Sequence, residues 1–298
     1  MYAPIVLFAF NRLEPLKACV SSMLMNAEAK ETDLIVFVDG PREDKEGEVD
    51  KVEAVRSFVK TITGFKSLEY HFSSKNKKLG PSIIAGVSDV IKRYERVIVI
   101  EDDLIASRNL LSFMNQALDR YEKNSDIFSI SGYSHKLCFP AEYSYDVYFA
   151  PRSSSWGWAT WKDRWLSCDW ELKDWASVEK TAKAFNRWGG SDCYGMLKGW
   201  KEGRNQSWAI RFCYNQFLKK SFTLFPIISR INNKGFDGSG TNCKSFSVFK
   251  FEFDETDNKC FKMPDSIVID KRIIHERKKY NSLWMRLYSR LVNTLYKL

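Results

Sequence analysis

Arg96-Val97-Ile98-Val99-Ile100-Glu101-Asp102-Asp103-Leu104 is the stretch that decides the fold. Four β-branched aliphatic residues run straight into three carboxylates. An apolar run of this kind reads as a strand buried on both faces, as strands of parallel sheets are. Carboxylates are not buried unpaired, because desolvating them costs several kcal/mol or more. The three acids therefore belong at the carboxyl edge of the sheet, where open α/β folds place their ligands. Adjacent carboxylates repel one another, and a hard divalent cation, Mg²⁺ or Mn²⁺, relieves that repulsion. The alternative is a solvated acidic turn ahead of a helix that starts near Asn109.

The preceding hundred residues repeat the same logic. Residues 4–10 form a buried strand that ends on Asn11-Arg12, and a helix follows to about Ala27. Residues 34–38 are a second apolar strand, closed by the turn signal Asp39-Gly40-Pro41. A charged helix spans about 43–60, with Val49, Val52, Val55, Phe58 and Val59 at helical spacing. Residues 68–72 are a short third strand. A basic loop at 73–78 leads to Gly80-Pro81, which opens a helix to Tyr94. This is β-α-β-α-β-α-β with connections of the length parallel strands need. The predicted fold class is α/β, a Rossmann-like mixed sheet flanked by helices.

Beyond the acids, the pattern predicts a helix over 109–121 and short strands at 128–131, 147–150 and 222–226. It predicts helical stretches over 161–175, 178–188 and 207–219. Trp156-Gly157-Trp158 alternates indoles with a small residue. If extended, it points both indoles to one face, either into the core or into a groove that stacks a sugar. Residues 232–241 read as a Gly- and Asn-rich loop. His71, His135 and His275 are isolated and read as structural, and Cys168, Cys193 and Cys213 are assigned no chemistry.

The chain has 298 residues, net charge +9 and 44% hydrophobic residues, enough for a substantial core. The positive charge favours polyanionic partners such as nucleotide diphosphates. Seven scattered cysteines without a close CxxC pair argue against a disulfide framework or zinc knuckle and fit a reducing cytoplasm. The N-terminus lacks the basic and apolar regions of a signal peptide. No run of about 18 apolar residues suits a membrane span. The tail from 270 to 298 is basic, with apolar residues from Leu283 to Tyr296 in a helical stripe. It reads either as a helix docked on the domain or a second subunit, or as one lying on the anionic inner face of a membrane.

Asn11-Arg12, Asp39 and Glu101-Asp102-Asp103 all close parallel strands, so they fall on one edge. An arginine, a base- or ribose-binding acid and a metal-binding acid cluster together suit a nucleotide diphosphate. The chain has no GxGxxG after its first strand and no GxxxxGK[ST], GxSxG or HExxH.

These residues carry a resemblance. Residues 97–104 resemble the strand and Glu-Asp-Asp-Leu motif of GT-A glycosyltransferases, closest to the N-acetylglucosaminyltransferase I type and to bacterial family-two-like sugar transferases. Residues 4–12, 34–39, 129–133, 156–161 and 235–241 resemble further segments of that family. The resemblance covers about 3–245 and implies a GT-A domain over 1–245, with a nucleotide-binding half (1–104) and an acceptor-side half (105–245). Residues 246–298 form a C-terminal extension. It implies an inverting hexosyl- or N-acetylhexosaminyltransferase that uses Mn²⁺ or Mg²⁺ in polysaccharide biosynthesis. Its partners are a UDP-sugar and a saccharide or lipid-linked saccharide, not nucleic acid.

By the resemblance, Asp103 is the metal ligand, and Glu101 and Asp102 support it and bind ribose. Asn11, Arg12, Asp39 and Gly80 bind the nucleotide, while Trp156, Gly157 and Trp158 line the acceptor groove. The family's catalytic base is an Asp beside a Trp, but the matching segment here, 205–211, has no acid. Asp237 is the favoured candidate, with Glu202 and Asp192 as the other nearby acids. Two other readings stay open: a nucleotidyltransferase, and a degenerate transferase-like domain that binds glycan.

Overall fold

The computed structural model describes residues 2–235 and 250–295. The first half alternates strands and helices as expected: β1 (Ile5–Ala9), α1 (Leu13–Leu24), β2 (Asp33–Val38), α2 (Glu48–Lys60), β3 (Ser67–Phe72), α3 (Leu79–Tyr94) and β4 (Arg96–Glu101). There follow β5 (Leu104–Ala106), α4 (Leu110–Tyr121), β6 (Ile127–Ser131), β7 (Val147–Ala150), β8 (Trp158–Trp161) and α5 (Lys162–Leu166). The remainder is α6 (Trp175–Gly189), α7 (Cys193–Lys201), α8 (Trp208–Leu218), β9 (Phe222–Pro226), β10 (Ile231–Asn233), α9 (Lys271–Tyr280) and α10 (Leu283–Leu295).

Eight strands form one mixed sheet in the order β3-β2-β1-β4-β8-β6-β9-β7. β3, β2, β1 and β4 are mutually parallel, and β8 runs antiparallel between β4 and β6. β1 is buried at every position because it has a strand on each side and helices on both faces. Its side chains alternate as the pleat demands. Ile5, Leu7 and Ala9 join a core with α1, α2 and α4, while Val6 and Phe8 join another with α3 and α8. Each such aliphatic side chain contributes about 1.5–3 kcal/mol on burial. The register pairs Ala9 with Val38 and Phe8 with Glu101, so the three polar strand ends emerge together.

The structure corrects the sequence reading in three places. Trp161 ends a strand over Trp158–Trp161 rather than opening the helical stretch expected over 161–175, because aromatic and β-branched residues suit a slot buried between β4 and β6, and between Trp161 and α6 only Lys162–Leu166 is helical. The loop predicted from 232 begins instead as β10, paired antiparallel with β5. Helix α7 was not predicted, because Gly195 and Gly199 dilute its pattern.

Gly157 explains a fourth difference. It adopts φ +62°, which breaks the alternation on either side of it. Trp158 is 1% exposed and stacks on Trp208 within the core. Trp156 instead meets Tyr133 edge-on at 4.5 Å and faces the cleft described below. A Cβ on Gly157 would lie 2.6 Å from Ile231 Cγ1. Gly157→Ala should therefore lower stability by about 2–4 kcal/mol, from the left-handed backbone and the overpacking together. Urea unfolding should show a reduced midpoint at unchanged slope.

The two helices of the tail differ in burial. Helix α9 is docked, with Ile273 and Arg277 buried. Helix α10 keeps Leu283, Trp284, Leu287, Tyr288 and Leu291 exposed. Among the described residues, no helix is long and apolar enough to cross a membrane.

Candidate functional site

The carboxyl ends of β1, β2 and β4 open into a cleft of about 1940 Å³. Asn11, Arg12, Asp39, Gly80, Glu101, Asp102, Asp103 and Trp156 all line it. Gly157 and Trp158 do not, so of the three residues expected in the acceptor groove only Trp156 faces it. Trp158 is a core residue, and Gly157 serves the backbone bend.

The acid cluster is built around Arg12, which leaves β1 in extended conformation just ahead of α1. Its Nη2 donates to Asp102 Oδ1 at 2.5 Å and to Asp103 Oδ2 at 2.9 Å. Its Nη1 is buried and has no acceptor among the described residues. One guanidinium thus faces three carboxylates. Burial, then Asp103 and Asp102, push the Glu101 carboxyl up to about 8. Burial also lifts Asp102 to about 6, although Arg12 pulls it down. Burial alone would lower the Arg12 guanidinium, but the charges of Asp102 and Asp103 raise it above its ordinary value.

The site therefore holds more negative charge than its own cation neutralises. Among the described residues, no group of three or more His, Cys, Asp or Glu side chains is placed to hold a metal by itself. The donor set fits a hard divalent cation shared between a carboxylate such as Asp103 and the oxygens of a bound anion. The unpartnered Nη1 of Arg12 offers that anion a charge-assisted hydrogen bond.

The other nucleotide-side residues are held by neighbours. Asp39 Oδ1 accepts from the backbone N–H of Gly40 at 2.9 Å and of Lys77 at 2.8 Å, so it caps the turn and ties β2 to the basic loop. Asn11 Nδ2 donates to Glu48 Oε1 at 3.1 Å, and Glu48 is itself clamped by Arg42. A Cβ on Gly80 would lie 2.1 Å from the carbonyl oxygen of Gln206. Its missing side chain thus lets α3 approach the segment before α8. Arg42, Lys75, Lys77, Lys78 and Arg204 give the rim its positive charge.

Residues 205–208 line the cleft where an acid was sought, and carry none. Asp192 is chelated by Arg152 at 2.7 and 2.9 Å, and Glu202 pairs with Arg204. Asp237 and the rest of the 236–241 loop lie outside the described residues. Sequence reasoning missed Tyr133, His135, Arg152 and Arg277, which share the cleft wall. Tyr133 and His135 share one segment while Arg152 and Arg277 come from two others, and no local pattern links them.

No protein-family model matches the chain, and no curated protein is significantly similar to it. Solved structures do resemble it. The mannosyltransferase PcManGT from Pyrobaculum calidifontis, in complex with GDP-Man and Mn²⁺, has a TM-score of 0.35 at 10% identity over 55% of this chain and 46% of its own. Residues 1–349 of S. aureus TarS give 0.44 at 11% identity over 80% of this chain and 62% of that one. UDP-glucose pyrophosphorylase complexed with UDP-glucose gives 0.38 at 10% identity over 78% and 92%. The chain thus spans less than two thirds of the first two. Likenesses at these scores carry no information on chemistry.

Proposed function

We propose that this chain is a GT-A glycosyltransferase that moves a hexosyl or N-acetylhexosaminyl unit from a UDP-sugar to a hydroxyl of a saccharide or lipid-linked saccharide. The observation that carries the reading is the acid cluster at the edge of the cleft, bound to one arginine whose second amine has no acceptor among the described residues. In this reading Asp103 holds Mn²⁺ or Mg²⁺, while Glu101 and Asp102 support it and face the ribose. Arg12 donates to a phosphate oxygen, and Asn11 and Asp39 border the base. Such a cation supplies charge neutralisation at the diphosphate leaving group.

In an inverting transfer the acceptor oxygen attacks the anomeric carbon as the bond to the diphosphate breaks. The hydroxyl proton passes to a carboxylate on the attacking face. Asp237 is the candidate for that base. The lack of an acid across 205–211 favours, as a second reading, a domain that binds donor or glycan without turnover.

A panel of UDP- and GDP-sugars, incubated with the full chain in Mn²⁺, Mg²⁺ or EDTA, tests both. Metal-dependent release of UDP supports the transferase. Metal-dependent UDP binding without release supports the binding domain. Absence of metal-dependent nucleotide binding sinks the transferase reading.

A further inference from the structure

The far end of the same cleft holds a buried cation that the scheme above does not use. Arg277, on α9, is 6% exposed yet lines the cleft. Its guanidinium lies 3.7 Å from the centre of the Phe225 ring, and its Nη2 donates to the Arg152 carbonyl at 3.0 Å. Among the described residues no carboxylate pairs with it. Asp192, the acid of this corner, is already taken by Arg152 through both oxygens. Arg277 is thus left with neutral partners, the Arg152 carbonyl and the Phe225 ring, and a buried charge without a counter-ion is costly. That cost is tolerated where a ligand supplies the missing charge, and functional sites concentrate such groups.

The position is separate from the acid cluster. Arg277 packs on β9, and the acids close β4. Three strand steps lie between them in the order β4-β8-β6-β9, roughly 14 Å at about 4.8 Å per step. A diphosphate seated on the acids does not reach that far. The wall between is aromatic. Trp156 meets Tyr133 at 4.5 Å, Tyr133 meets His135 at 5.2 Å, and His135 stacks on Tyr280 at 4.3 Å. Of these rings Trp156, Tyr133 and His135 line the cleft, and aromatic faces suit the C–H faces of sugar rings.

We infer that this end of the cleft is an acceptor subsite for a saccharide carrying an anionic group, a carboxylate or a phosphate, with Arg277 as its counter-charge. The inference deepens the transferase reading and rests on it for the word acceptor; the anion site itself stands on Arg277. It also gives the C-terminal extension a role in substrate choice, because α9 brings the cation.

Calorimetry on the full chain with UDP and Mn²⁺ tests it, using methyl glucoside, methyl glucuronide and glucose 6-phosphate as probes. At least one charged probe should bind about tenfold or more tightly than methyl glucoside, and the better of the two tells carboxylate from phosphate. Arg277→Gln should erase the preference and Arg277→Lys should keep part of it, with UDP binding unchanged in both. Equal binding of all three probes, or a preference that survives Arg277→Gln, overturns the inference. Should Arg277→Gln fail to fold, Ser153→Glu keeps the arginine and adds a carboxylate on the residue bonded to the Arg152 carbonyl that Arg277 binds. That variant should lose the preference, and retaining it overturns the inference. Loss of UDP binding with the charge preference intact would count against the transferase reading alone.

Discussion

Asp103→Asn should cut release of UDP from a UDP-sugar by about 10³-fold or more, corresponding to roughly 4 kcal/mol of lost transition-state stabilisation. The substitution keeps the shape of the side chain and removes its charge. Arg12 retains its hydrogen bond to Asp102, so the clamp between β1 and β4 survives. Asp103 sits at the mouth of the cleft rather than in the core, and thermal unfolding should move little. The charge matters because the leaving group of the proposed reaction is a diphosphate, and Asp103 is the residue assigned to anchor its cation. The expected signature is a large fall in turnover together with weaker UDP binding in Mn²⁺, while UDP binding in EDTA stays as it was. A purely structural cluster behaves the other way. Removing one of three crowded acids would then leave nucleotide binding alone and change only stability. Finding turnover within a factor of about three of wild type would reject the assignment.

How far the site was legible depended on whether its residues were set by local pattern. Val97 to Ile100 could only be an interior strand, and the acids that follow could only sit at its end. The same reasoning placed Arg12 and Asp39 on that edge, and the register of β1 against β2 and β4 brings them together. Trp158 shows where the method stops. Its face was predicted from alternation, but Gly157 at φ +62° turns the chain, and Ile231 from another segment packs where a Cβ would stand. Helix α7 was hidden by its two glycines. Arg277 and the Arg152 carbonyl it binds stand 125 residues apart, and nothing in either neighbourhood signals the other. His135 looked solitary because its partners, Tyr133 and Tyr280, meet it only in the folded chain. Tertiary convergence, not secondary structure, is what a single sequence withholds.

The two ends of the cleft should also leave opposite marks on stability, readable in metal-free protein held in EDTA. Glu101 is pushed from 4.5 to about 8 by burial and its acidic neighbours, so the folded state binds its proton more tightly than the unfolded chain. Its contribution is therefore fully present below pH 4.5 and is lost as pH rises through 8. Asp102, raised from 3.8 to about 6, acts in the same sense at lower pH. His135 is pushed from 6.5 down to about 3 by burial and then by the charges of Arg277 and Arg152. Its folded state resists protonation, so stability is whole above pH 6.5 and drains as pH falls towards 3. Each group acts with a slope of about 1.4 kcal/mol per pH unit inside its own window. Between pH 8 and 6.5 the Glu101 slope is not opposed by His135, and wild-type stability should rise by about 2 kcal/mol on acidification. Glu101→Gln should flatten that limb and make the variant the more stable protein at pH 8. From pH 6.5 to about 6 His135 opposes Glu101 and the wild-type curve should level, and below that Asp102 adds its own rise. His135→Gln should restore the climb, gaining about 2 kcal/mol relative to wild type between pH 6.5 and 5. Urea titrations of the three proteins at half-unit steps of pH read all of this directly. A wild-type curve with no rise from pH 8 to 6.5, or a Glu101→Gln curve that keeps it, would mean that Glu101 is solvated rather than crowded among buried carboxylates, against the picture of a buried acid cluster short of cations.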